Sequence, residues 1–160
     1  MSYMMKLSPV FKDYLWGGHR LHDELGKDCG AGITAESWEL STHPDGLCRI
    51  ASGAPAGETL AAWLADHPAA LGTRAGGRTD MPILIKLIDA AQNLSVQVHP
   101  DDDYARIHEN SAGKTECWYI LDAKPGASLI YGLNGEYGRE ELQKAIENNS
   151  LDGYLQSVQV

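Results

Sequence analysis

The sequence is short of cationic side chains: 13 Lys and Arg stand against 22 Asp and Glu, for a formal net charge of −9. Nucleic-acid binding needs clustered cations along a phosphate backbone, so the overall field and the lack of any basic cluster argue against that class. A small anionic substrate remains compatible, because a few well-placed cations dominate locally. Cysteine is scarce as well. Cys29, Cys48 and Cys117 are odd in number and contain no Cys-x-x-Cys pair, which points to reduced thiols or core fillers rather than a disulfide framework. No apolar run reaches membrane-spanning length, and the start, Met1 to Lys6, leads to Lys12 and Asp13 rather than into an uninterrupted apolar stretch. Cytoplasmic residence, with no membrane and no nucleic-acid partner, is the resulting expectation.

A chain of 160 residues fits one domain, taken as 1–160, that buries about two thirds of its unfolded surface. Residues 1–34 hold Trp16-Gly17-Gly18 and Gly30-Ala31-Gly32 and read as mostly irregular backbone over a core. Residues 35–42 alternate as a strand, with Trp38 and Leu40 on one face and Ser37, Glu39 and Ser41 on the other. A turn at Pro44-Asp45-Gly46 leads to a short strand from Leu47 to Ile50. Thr59 caps a helix whose Leu60, Trp63 and Leu64 recur at helical spacing, and Pro68 ends it. Ile83 to Asp89 reads as a buried strand with one cation, Lys86, in its middle. A strand over Leu94–His99 is followed by a short helix capped by Asp101 or Asp102. Glu116–Leu121 and Ala127–Tyr131 read as antiparallel neighbours joined through Lys124-Pro125-Gly126, and 139–148 as a helix with Leu142, Ala145 and Ile146 on one side. Strands with one polar and one apolar face, joined by turns, favour a β-barrel or sandwich decorated with helices.

The densest chemistry lies in Leu94-Ser95-Val96-Gln97-Val98-His99-Pro100-Asp101-Asp102. Alternation puts Val96 and Val98 on one face and Ser95, Gln97 and His99 on the other, so an amide and an imidazole project side by side. Seventeen residues after His99 comes Glu116, opening a second alternating run. An imidazole, an amide oxygen and a carboxylate form a mixed N/O set suited to zinc or another divalent ion. A lone histidine at a strand end is more often satisfied by backbone partners; Gln97 and the acid run reverse that reading here.

These segments carry a resemblance. The chain resembles the N-terminal part of a type I mannose-6-phosphate isomerase through Pro9-Val10-Phe11-Lys12 with Trp16-Gly17-Gly18, Glu36-Ser37-Trp38-Glu39-Leu40-Ser41, Lys86-Leu87, Val96-Gln97-Val98-His99-Pro100-Asp101-Asp102 and Gly113-Lys114-Thr115-Glu116-Cys117-Trp118-Tyr119. They span nearly the whole chain in the family's order. The resemblance implies a mainly-β fold, the first half of a cupin-type jelly-roll barrel with short helical decorations. It also implies Zn2+ held by Gln97, His99 and Glu116, and interconversion of mannose 6-phosphate and fructose 6-phosphate through an enediol. Members of the family continue into further barrel strands that bring another histidine ligand and an arginine. Val160 precedes both, so the chain is expected to stop before the last barrel strands, as a fragment or as a shortened relative.

Within that resemblance Lys114 is the candidate catalytic cation or base, the latter only if desolvation or the metal lowers its pKa toward neutrality; a metal-held water is an equal candidate. Lys86 would meet the substrate phosphate or a barrel-interior partner, since a cation inside an apolar strand is costly alone, and Ser95 would add a hydroxyl. Trp16 and Trp38 wall a pocket or pack as core, and Glu39 points into the same cavity. Asp101, Asp102 and Asp103 cap the following helix. Three ligands plus a water describe an open catalytic site rather than a structural one. The rival readings are a non-catalytic cupin module that binds a sugar or sugar phosphate, and a different cupin enzyme, whose sites more often present two histidines where this chain has Gln97 and His99. A second copy covering unpaired strand edges, giving a homodimer, is also compatible.

Overall fold

The computed structural model describes residues 4–53 and 55–160; Met1, Ser2 and Tyr3, part of the N-terminal stretch read above, lie outside the described residues. The chain forms two compact units, Met1–Leu94 and Ser95–Val160, and each is built on antiparallel pairing.

In the first unit, β1 (Leu7–Ser8) pairs with β4 (Arg49–Ile50), while β2 (Val10–Lys12), β3 (Glu36–Leu40) and β5 (Ile85–Ile88) form a three-stranded sheet in the order β2-β3-β5. The register sets Val10 opposite Trp38, and Trp38 opposite Lys86. A single turn of helix, α1 (Arg20–Asp23), lies between β2 and β3. The stretch read as irregular therefore contains two short strands and a helical turn. Gly17 bridges to Ala90 and Gly18 to Thr34, and a Cβ on Gly17 would stand 2.6 Å from the backbone of Ala35. The Trp-Gly-Gly sequence is thus required by close approach of chains.

Helix α2 (Leu60–Asp66) begins as expected, with the Thr59 hydroxyl accepting from the Ala62 amide at 3.2 Å. Its buried Leu60, Trp63 and Leu64 close on Ile50, with Leu7, Leu40 and Met81 packed against them. The run from Ile83 is less buried than its composition suggests, for Ile83, Leu84 and Ile85 are exposed. Ile83 and Leu84 precede β5, and β5 itself lies at the edge of its sheet; a continuous apolar run does not reveal how many neighbours a strand has.

In the second unit, α3 (Asp102–His108) starts at Asp101, whose carboxylate accepts from the Tyr104 amide at 2.8 Å. Strand β6 (Ser128–Leu133) pairs with β7 (Leu155–Gln159), and α4 (Arg139–Glu147) lies between them in sequence. The register shifts between Ile130 and Leu133, where Gly132 has φ of 78°, a left-handed value that a side chain disfavours. Two expectations need correction. Neither Leu94–His99 nor Glu116–Leu121 enters a ladder among the described residues, and β6 takes β7 rather than 116–121 as its neighbour. Alternation states that a segment has two faces; it does not name the partner that supplies the hydrogen bonds. On α4, Ala145 is buried but Ile146 is exposed, so the expected apolar stripe is narrower.

Candidate metal and substrate site

His99 and Glu116 are brought together by the closure of the segment between them. The Lys114 amide donates to the Pro100 carbonyl at 3.1 Å, and the Gly113 amide donates to the Asp102 carboxylate at 2.9 Å. Gly113 has no room for a side chain, since a Cβ there would lie 2.5 Å from the carbonyl carbon of Asp101. The chain therefore returns beside residues 99–101 after α3, and the side chains of 114 and 116 follow on one face. His99 Nε2 stands 3.3 Å from Glu116 Oε2. The Lys114 ammonium contacts both, at 2.5 Å from Glu116 Oε2 and 3.2 Å from His99 Nε2. For the lysine to donate there, Nε2 must offer its lone pair, because an ammonium has donors only.

The Trp118 indole N–H donates to Glu116 Oε1, so both carboxylate oxygens have donors. Burial pushes the Glu116 carboxyl upward, but the hydrogen bonds from Lys114 and Trp118 and the nearby positive charge outweigh it, and its pKa falls from 4.5 to about 2. The carboxylate form is the resident one. Gln97 points its amide nitrogen to Ser95 Oγ at 3.3 Å, the i,i+2 contact expected of an extended segment. Asp102 and Trp118 were not singled out by sequence reasoning as parts of the site. Trp118 was accessible to it, since Lys114, Glu116 and Trp118 share one parity; the grip of Asp102 on Gly113 was not.

An imidazole nitrogen and a carboxylate oxygen at 3.3 Å can serve as two corners of a tetrahedral site, where zinc bonds of about 2.0–2.2 Å put donors about 3.3–3.6 Å apart. A cation already touches both atoms, in the form of the Lys114 ammonium. Among the described residues no three His, Cys, Asp or Glu gather to hold a metal, and Gln97, expected beside His99, has its amide turned to Ser95 rather than joined to the contacts of His99, Lys114 and Glu116.

The remaining sequence candidates belong to the first unit. Lys86 Nζ lies 2.8 Å from Glu36 Oε1, and the Trp38 indole donates to Glu36 Oε2 at 2.7 Å. The interior cation thus has a carboxylate partner in the sheet. Glu39 accepts from the Ser37 hydroxyl at 2.5 Å and pairs with Lys27 at 2.7 Å. Trp16 is half-buried, stacks on Tyr14 with ring centroids 5.7 Å apart, and its carbonyl accepts from the amides of Ala91 and Gln92. Trp38 is buried, with the Lys12 ammonium 4.7 Å from its ring centroid.

Comparison with known proteins places this chain in a class of sugar-phosphate isomerase catalytic domains. The family model for the catalytic domain of type I phosphomannose isomerase matches residues 4–128, and the chain belongs to that family. It is 44% identical over its full length to the probable mannose-6-phosphate isomerase GmuF of Bacillus subtilis, covering 50% of that protein. It is 43% identical over 95% of its length to mannose-6-phosphate isomerase ManA of the same organism, covering 47%. The solved mannose 6-phosphate isomerase of B. subtilis superposes with a TM-score of 0.88 at 38% identity, over 98% of this chain and 49% of that one. The mainly-β fold with short helices expected from the sequence is therefore the fold of the matching part of that enzyme. The chain spans about half the length of the curated relatives it matches.

Proposed function

We propose that this chain supplies the N-terminal, metal-holding part of a zinc-dependent aldose–ketose isomerase, on the first half of a cupin-type barrel, acting on mannose 6-phosphate and fructose 6-phosphate. The observation that carries this reading is the meeting of His99 Nε2, Glu116 Oε2 and the Lys114 ammonium within 3.3 Å of one another. His99, Glu116 and the Gln97 amide are the proposed ligands.

The reaction moves one proton between C2 and C1. From the aldose, a base removes the C2 proton while O1 gains one, giving an enediol; O2 then loses its proton and C1 receives one, with no net change in oxidation. Zinc bound by this set would supply positive charge against the oxyanion that develops. Lys114 reaches the same point and is the protein group able to donate to that oxygen or to shuttle the proton. Ser95 is the proposed substrate contact in the second unit, and Lys86, Trp16 and Glu39 are those proposed within the first; for Lys86 this requires the substrate phosphate to share or replace Glu36.

The three cysteines are free, in keeping with a reducing, cytoplasmic setting, and no helix among the described residues is long and apolar enough to cross a membrane. A homodimer is the proposed assembly, since Val98, Tyr119 and Tyr131 are exposed apolar side chains of a kind that a second copy would cover. Zinc content and isomerase turnover measured on the 160-residue chain test the main reading. Stoichiometric zinc supports the metal-holding part and turnover by this chain adds the isomerase reading, whereas sugar-phosphate binding without zinc favours a non-catalytic module instead. Failure to retain zinc removes the reading.

A further inference from the structure

We infer that Lys114 competes with zinc for the lone pair of His99 Nε2: its ammonium contacts His99 Nε2 and Glu116 Oε2 together, and zinc held by the imidazole would displace it from that nitrogen. This rests on the ligand set proposed above and adds to it a function for the lysine that precedes any turnover.

The argument is one of shared lone pairs. The lysine does not merely lie near the two groups; it contacts the same Nε2 and the same Oε2 that face each other across 3.3 Å. The imidazole Nε2 has one lone pair, which an ammonium and a divalent ion cannot share, whereas Glu116 Oε2 has a second lone pair and can meet both; at such range the two cations also repel. What the lysine gives in return is order. Without a cation touching both, the imidazole and the carboxylate would lack a common donor, and the rotamer freedom of both would have to be lost on metal capture. Movement of the lysine is local, because its backbone amide is fixed to the Pro100 carbonyl while its side chain is 45% exposed. A four-carbon stem on a fixed backbone can turn its head outward without disturbing Glu116. The ammonium released from the imidazole is then the one within reach of substrate oxygens.

The test is the zinc affinity of the 160-residue chain by chelator competition at pH 7.5, with folding checked by circular dichroism. Lys114→Leu keeps the apolar stem and removes the donor, and is expected to bind zinc about three- to tenfold more tightly than the unchanged chain. Lys114→Arg keeps the cation and is expected to stay near the unchanged value. His99→Ala and Glu116→Gln are each expected to lose most zinc binding. If those two lose zinc while Lys114→Leu binds no more tightly than the unchanged chain, the competition is overturned and the ligand set stands. If His99→Ala and Glu116→Gln leave affinity unaltered, the ligand set itself falls and the competition with it.

Discussion

Lys86 Nζ lies 2.8 Å from Glu36 Oε1, joining β5 to β3 across the register that sets Trp38 opposite Lys86 and Glu36 opposite Ile88. The pair is diagonal on one face, and the Trp38 indole completes the bonding of the carboxylate. Glu36 is 5% exposed, so these two donors stand in for water around its carboxylate.

Removing the lysine leaves that buried carboxylate with the indole alone. Lys86→Met is expected to lower unfolding free energy by roughly 3 kcal/mol, read from the urea midpoint at pH 7. Glu36→Gln with Lys86→Met together should recover part of the loss, because the uncompensated charge is gone. A single-variant loss below 1 kcal/mol would mean that water, not Lys86, solvates Glu36.

Gly113 sits against the backbone of Asp101 and Asp102, and its amide is held by the Asp102 carboxylate. Gly113→Ala is expected to push the returning segment away and weaken zinc binding by about tenfold, while costing roughly 1–3 kcal/mol of stability. Isothermal titration of the variant checks the first part. Unchanged affinity would show that the ligands do not depend on this closure.

Acid should weaken the second unit through Glu116. Its folded pKa of about 2 is below its ordinary 4.5, so its contribution is fully present above pH 4.5 and is lost as pH falls toward 2, amounting at most to about 3 kcal/mol. Urea midpoints from pH 6 to pH 2 should therefore fall more steeply for the unchanged chain than for Glu116→Gln, with the two curves converging near pH 2. Parallel curves would contradict the lowered pKa.

The thiols should differ in reactivity. Burial pushes the Cys48 thiol above its ordinary 9.0, and its sulfur donates to the Trp38 carbonyl at 3.2 Å, so little thiolate forms at pH 8. Cys117 is exposed and Cys29 half-buried. Alkylation followed by mass spectrometry should modify Cys117 first and Cys48 only on unfolding; early labelling of Cys48 would show that the β3–β4 region opens readily.

The helices were legible because their signals are local. Thr59 and Asp101 cap where expected, and each cap acts on residues within three positions. Strand β3 was legible from alternation, for Glu36–Leu40 lies inside the expected 35–42 strand. Pairing was not, since the partner of Lys86 lies 50 residues away and nothing in its neighbourhood specifies it. Strand β7 was overlooked although Leu155, Ser157 and Gln159 alternate with Gln156 and Val158, because its side chains are mainly polar or exposed and a weakly apolar run resembles loop. At the site, the resemblance pointed to Gln97, His99, Lys114 and Glu116, and the last three lie in mutual contact. The Asp102–Gly113 closure that positions them depends on a bend no periodicity describes.

The indole N–H of Trp118 donates to Glu116, which gives the molecule an optical probe at the place where an ion would be received. Any event that draws the carboxylate away from the ring alters the polarity around that chromophore. Subtracting the emission of a Trp118→Phe chain from that of the unchanged one would isolate this signal from the other three tryptophans, Trp16, Trp38 and Trp63, and make ion capture visible in real time without a label.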